Sequence, residues 1–274
     1  MVELILDNLN LLLALIGAGG IAGIAAGMFG IGGGVIIVPA LYFTLSSLGY
    51  SETAMHVSVG TSLATIIATS IRSVLAHHSK GAVDVGVLKS WGPTMMMGAL
   101  AGGLIASIMS GRGLTIFFGF VALILAAQLV FGRPNWRLAK DVPNGPMGWA
   151  VSSIIGVCSS LMGIGGGVFG VTTMVLCGRP IHQAIGTSAG FGALIGFAAV
   201  IGYAFSGWGE VGLPPFSIGY LSLPGFLLIA AMTTSLAPLG ARFAHGFDGV
   251  LLKKIFGVLL TLMAINMLYR AFAG

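Results

Sequence analysis

The sequence predicts an all-α, polytopic helical membrane protein built from two inverted five-segment repeats, and three observations carry that prediction. Charged residues make up only 7% of the chain and hydrophobic ones 57%, whereas a soluble domain needs about 25% charged residues to hold water on its surface. Ten apolar runs follow one another, most of them near the roughly 20 residues that a helix needs to cross the hydrocarbon. The stretch "MFGIGGGVIIVP" at 28–39 returns as "LMGIGGGVFGVT" at 161–172.

Taken in order, the runs fall at 9–28, 35–49, 53–76, 87–110 and 114–132, then at 147–162, 168–178, 181–206, 217–243 and 250–270. The polar stretch "GRPNWRLAKDVPNGP" separates the two sets. It divides the chain into a first transmembrane repeat (1–132), a cytoplasmic linker (133–146) and a second repeat (147–274). "FGIGGGV" (29–35) matches "MGIGGGV" (162–168), "HVSVGTS" (56–62) matches "HQAIGTS" (182–188), and "FFGFVALILAA" (117–127) resembles "IFGVLLTLMAI" (255–265). Copies with an odd number of spans run in opposite directions through the bilayer, which is the inverted-repeat pattern of secondary transporters. The acidic N-terminus "MVELILDNLN" has no basic n-region, so the first run is expected to be retained rather than cleaved as a signal peptide. The run 168–178 gives a helix of about 16 Å, too short for about 30 Å of hydrocarbon. Broken or re-entrant elements are therefore expected at the GIGGG motifs.

The net charge of +5 is spread to set topology rather than to bind nucleic acid. With the N-terminus outside, Arg72, Lys80, Lys89, Arg133, Arg137, Lys140, Arg179, Arg242, Lys253 and Lys254 fall inside or at inner helix ends. Arg112 and Arg270 alone fall outside, with Glu3, Asp7, Glu52 and Glu210. That asymmetry follows the positive-inside rule and predicts a multi-pass protein of the plasma (inner) membrane with both termini outside.

Three adjacent glycines break a helix, and irregular backbone at membrane depth survives only inside protein or beside a water-filled cavity. A helix restarting after the break offers free amides and a positive dipole end to an anion. The amides of Gly32, Gly33, Gly34, Gly165, Gly166 and Gly167, with the hydroxyls of Thr61, Ser62, Thr187 and Ser188, form the candidate substrate site. The competing readings are close helix packing for the glycines and hydrogen bonds to carbonyls one turn back for the hydroxyls. GIGGG matches neither a dinucleotide fingerprint nor a Walker loop.

GIGGG followed by GTS, with both repeated, resembles the TauE/SafE sulfite exporter family over nearly the whole chain. The resemblance implies a transporter, in the export direction, of small sulfur-containing anions such as sulfite or organosulfonates (sulfoacetate among them). An anion channel, or a transporter of thiosulfate or another small anion, is the alternative. It also implies that both glycine motifs and the GTS residues line a central site.

His56 and His182 occupy equivalent places before each GTS and are candidates for anion contact or proton transfer, against a role as backbone-bonded residues at helix starts. Arg72 lies within an apolar run and is either a substrate contact or a snorkelling side chain; Ala198 stands in its place in the second repeat. His77, His78, Lys80 and Asp84 read as a solvated inner loop, and Glu52 and Glu210 as solvated outer residues. Cys158 and Cys177 read as small apolar-segment residues. No metal centre or cofactor is expected, and an intramembrane Ser-His hydrolase at "GTSAG" (186–190) is disfavoured because transporters, not enzymes, duplicate such residues in inverted halves. The expected partners are the anionic substrate and the lipid bilayer, with a homodimer left open.

Overall fold

The computed structural model describes residues 2–29, 33–132, 137–139, 141–244 and 249–273. Each apolar run falls on one helix: α1 (Val2–Phe29), α2 (Gly34–Ser47), α3 (Ala54–His78), α4 (Val85–Ile108) and α5 (Gly111–Phe131), then α6 (Gly145–Met162), α7 (Gly167–Leu176), α8 (Ile181–Ser206), α9 (Leu223–Ala244) and α10 (Gly249–Ala273). Helices dominate because hydrocarbon offers no water to satisfy backbone groups. One detail departs from the all-α expectation. The run from 217 opens as an antiparallel hairpin, β1 (Ser217–Ile218) with β2 (Leu221–Ser222), before α9 begins.

The helix ends have local causes. The Asp84 carboxylate accepts from the Val87 amide (3.1 Å) and caps α4. Ser110 caps α5 by accepting from the Gly113 amide (3.0 Å). Gly163, at φ 67°, closes α6 in the left-handed region, which only glycine enters freely.

Among the described residues, six helices are long and apolar enough to cross a membrane. Large apolar side chains such as Leu13, Ile21, Phe120, Ile124, Phe197 and Leu262 face outward. This is a polytopic membrane protein. By contrast α2 and α7, of 14 and 10 residues, reach only about 21 Å and 15 Å at 1.5 Å per residue. The α7 end returns to where α6 began. The Leu176 carbonyl accepts from the Leu138 and Ala139 amides (2.9 and 3.3 Å), and Arg179 pairs with Asp141 (3.2 Å), just ahead of α6. So α6 and α7 form a helical hairpin with its tip at Gly163–Gly166.

The largest packed faces join α1 to α9 and α4 to α6, while α3 lies against α8 and α5 against α10. Close approach depends on glycine: a Cβ at Gly98 of α4 would strike the Ser153 carbonyl of α6, and one at Gly23 of α1 would stand 2.9 Å from the Thr233 Cα of α9. Gly196 lies against Leu63 and Gly186 against His77, so α3 and α8 run antiparallel. In the same way Gly119 meets Leu268 and Gly257 meets Val130, which makes α5 and α10 antiparallel.

Gly98→Val is therefore expected to cost about 1–3 kcal/mol by overpacking, read as a lower Tm of the detergent-solubilised protein. Gly17→Ala, with nothing within 4 Å of the added Cβ, should leave Tm unchanged or raise it.

Candidate functional site

The site begins with the two helix breaks. Gly163–Gly166 interrupts the chain between α6 and α7, with Gly163 and Gly165 both at positive φ (67° and 59°). Gly166 precedes α7, and its carbonyl accepts from the Gly170 amide (2.9 Å). The first-turn amides from Gly167 onward have no intrahelical acceptor. In the first copy, Gly33 stands before α2 and accepts from the Ile36 and Ile37 amides (3.0 and 2.8 Å). Gly32 lies outside the described residues.

The fold brings the breaks together. A Cβ added to Gly34 would overlap the Gly163 carbonyl oxygen and stand 2.7 Å from the Ile164 Cα. One added to Gly165 would press on Ile66, and one on Gly166 on Phe191 and Gly192. Ile66 and Gly192 are near the middles of α3 and α8. The two restarting helices thus present their N-termini side by side at mid-depth, where the dipoles of both favour negative charge.

The GTS residues divide into three tasks. Gly60 and Gly186 admit backbone: a side chain there would collide with the Tyr220 or the Ala82 carbonyl oxygen. Thr61 Oγ1 accepts from the Ser222 amide (3.0 Å), and Thr187 Oγ1 accepts from the Asp84 amide (2.8 Å). Both threonines therefore fasten the start of another helix, α9 and α4. The serines differ from each other. Ser62 Oγ donates to the Gly163 carbonyl (2.7 Å) and ties α3 to the second break. Ser188 is 1% exposed, and its Oγ has no partner among the described residues. It points at α7, where a Cβ on Gly170 would come within 2.6 Å of it.

The remaining candidates lie away from the breaks. His56 is buried, shares its Nε2 between the Ala106 and Met109 carbonyls (2.9 and 3.1 Å) and stacks on Tyr220 (4.6 Å between ring centroids). Burial, and then the Glu210 carboxylate, push the Tyr220 phenol up from its ordinary pKa, so it faces His56 as a neutral ring. His182 is exposed in the first turn of α8, and Arg72 is exposed in the last third of α3. The structure does not bring these three to the glycine tips.

Three residues that carry the geometry were not singled out as site residues in the sequence. Asp84 is no solvated loop residue: its side chain is 16% exposed and pairs with Arg179 (3.3 Å). Ser222 plays the matching part at α9, with its Oγ accepting from the Gly225 amide (3.1 Å). Arg179 joins Asp84 to Asp141 through one nitrogen, Nη2. The capping pattern was legible, since Asp or Ser directly before an apolar run marks a helix start. That both caps lean on a GTS threonine was not.

Comparison with known proteins settles what kind of chain this is. The model of the family described as sulfite exporter TauE/SafE matches residues 15–267. The chain belongs to the TauE/SafE family. A probable membrane transporter protein of Haemophilus influenzae is 35% identical over 95% of this chain and 98% of its own length. Proteins with the same description from Xylella fastidiosa (strain 9a5c) and Methanocaldococcus jannaschii are 27% and 26% identical, over 96% and 97% of this chain and 97% and 99% of theirs. No solved structure matches. This TauE/SafE protein is accordingly a multi-pass membrane transporter.

The two hydroxyls of one GTS motif should separate in stability. Thr187→Val strands the Asp84 amide and is expected to cost about 1–3 kcal/mol, whereas Ser188→Ala removes an unbonded oxygen and should cost less than about 1 kcal/mol. Thermal unfolding of the purified variants checks both.

Proposed function

We propose that the protein exports small sulfur-containing anions, sulfite or organosulfonates such as sulfoacetate, by alternating access around the paired glycine tips. The observation that carries this reading is the meeting of the α2 and α7 N-termini at mid-depth, beside a buried hydroxyl with no partner among the described residues. A sulfur oxyanion is compact and accepts several hydrogen bonds at once. Amides of Gly33, Gly34, Gly165, Gly166 and Gly167 supply donors without a desolvated cation, and Ser188 adds one. The Thr61, Thr187 and Ser62 hydroxyls hold the frame around them.

The halves are inverted repeats, residues 1–132 and 147–274 joined by a cytoplasmic linker. Packing supports this. Exchanging α1–α5 with α6–α10 turns the α1–α9 face into the α6–α4 face and α2 on α3 into α7 on α8. It pairs α3 with α8 and α5 with α10, and both pairs run antiparallel. With both termini outside the inner membrane, the Arg179 end of the molecule faces the cytoplasm. Expelling an anion from a negative interior is downhill by about 2.3 kcal/mol per charge per 100 mV, so no proton carrier is required. Glu52, Asp141 and Glu210 are exposed and Asp84 is half-buried.

Flux through purified protein in liposomes tests the reading, with sulfite, thiosulfate, sulfoacetate, sulfate and chloride offered in turn under an imposed potential. Saturable flux of a sulfur anion is expected, with KM raised about tenfold in Ser188→Ala, the loss of one hydrogen bond to a charged group. Equal, unsaturable passage of all five anions would replace the carrier with a channel. Silence from all the sulfur anions would reject the substrate class.

A further inference from the structure

The two GTS motifs fasten across the halves at opposite ends of the molecule. Thr61 on α3 holds the start of α9, and Thr187 on α8 holds the start of α4. Because α3 and α8 are antiparallel, with Gly186 against His77 and Gly196 against Leu63, these fastenings lie at the two mouths of any path between them. Their reinforcement differs. Thr53, seven residues before Gly60, donates from Oγ1 to the Gly212 carbonyl (3.0 Å). Arg179, seven residues before Gly186, instead binds two carboxylates, Asp84 Oδ2 at 3.3 Å and Asp141 Oδ1 at 3.2 Å.

We propose that Arg179, Asp84 and Asp141 form an ionic lock on one mouth of the transport path, whereas the fastenings described at the opposite mouth are neutral hydrogen bonds. This rests on the alternating-access reading, and the structure with both fastenings made is its occluded state. Opening the Arg179 mouth separates α8 from α4 and so must part both the Thr187–Asp84 bond and the ion pairs. Opening the other mouth parts Thr61 from Ser222 and Thr53 from Gly212, with no charge involved.

The lock is built to open. A single nitrogen serves both acids, and Arg179 Nε is buried with no partner among the described residues, so opening hydrates a donor that the closed state leaves unsatisfied. Asp141 is 68% exposed at its side chain and Arg179 32%, which places the pair within reach of salt screening. The neutral fastening has no such sensitivity.

Cys177 provides a native reporter, since it is buried two residues before Arg179. In full-length Cys158→Ala protein reconstituted in liposomes, the labelling rate of Cys177 by a charged, membrane-impermeant thiol reagent reads exposure of this mouth. Arg179→Gln and Asp84→Asn, the latter keeping a helix-capping side chain, are each expected to speed labelling about fivefold. The double variant should be no faster than either single one, as for partners in one interaction. In the unsubstituted lock, raising KCl from about 0.1 M to 1 M, which shortens the screening length from about 10 Å to 3 Å, should speed labelling too, while Ser222→Ala should not. Labelling indifferent to salt and to both variants overturns the lock, and so does a double variant whose effect is the product of the single ones. The readout needs no substrate: if labelling behaves as expected while no sulfur anion is carried, the lock stands and the substrate reading falls.

Discussion

Everything in this molecule follows from one constraint: a backbone that leaves the helix inside hydrocarbon must be covered by other backbone. The chain breaks its helices at two glycine motifs, and each break would expose amides and carbonyls whose desolvation costs several kcal/mol apiece in lipid. The fold meets that demand by setting the breaks against each other. Gly34 presses on the Gly163 carbonyl, and Ser62 reaches across to bond the same oxygen. A helix cannot satisfy its own first turn, so the starts of α2 and α7, set beside this meeting of the breaks, offer amide donors there. In the proposed function an anion is the ligand that receives them.

The same economy explains why a short motif recurs as a block. In each GTS the glycine admits a carbonyl and the threonine receives the amide two residues further along the same segment, while Ser62 bonds the Gly163 break and Ser188 turns toward Gly170 of α7. None of these tasks tolerates its neighbour's residue type. A side chain at the glycine displaces the loop, valine at the threonine strands an amide, and the fastened cap is itself the first residue holding the next helix in place. A weak contact repeated in register thus couples three elements: the fastening helix, the loop before the next helix and that helix's first turn.

Apolar periodicity and repeat matching made the ten helices, the paired glycine breaks and the short α7 legible in the sequence, because hydropathy and helix-breaking act locally. That a GTS hydroxyl would lie beside a glycine break was legible too, and Ser62 against Gly163 is the case the structure shows. The division of labour among the hydroxyls was not. Thr61 and Thr187 read as ligands or as residues bonded one turn back, yet their partners, Ser222 and Asp84, lie just ahead of other helices and far away in sequence. Nothing local distinguishes Ser62, which is bonded, from Ser188, which has no partner among the described residues. His56 and His182 share a motif position but not an environment, one buried against carbonyls and the other exposed. Arg72 looks costly within an apolar run, but its place in the last third of α3 lets the charge stay exposed.

Unequal fastenings at the two mouths do not choose the direction of transport. In the proposed cycle the ends of the path exchange the same anion, so the sign of net flux is fixed by its concentration ratio and by about 2.3 kcal/mol per charge per 100 mV of potential. What the ionic reinforcement alters is the population of states between turnovers, since each mouth opens against whatever holds it. A carrier resting open to the cytoplasm would leave its site continuously exposed to the cytoplasmic anion. One resting closed there instead admits it only when the α4–α8 contact parts. Because the lock yields to ionic strength and the neutral mouth does not, the two gates respond to different features of their surroundings. That independence is a property a symmetric pair of hydrogen-bonded gates could not have.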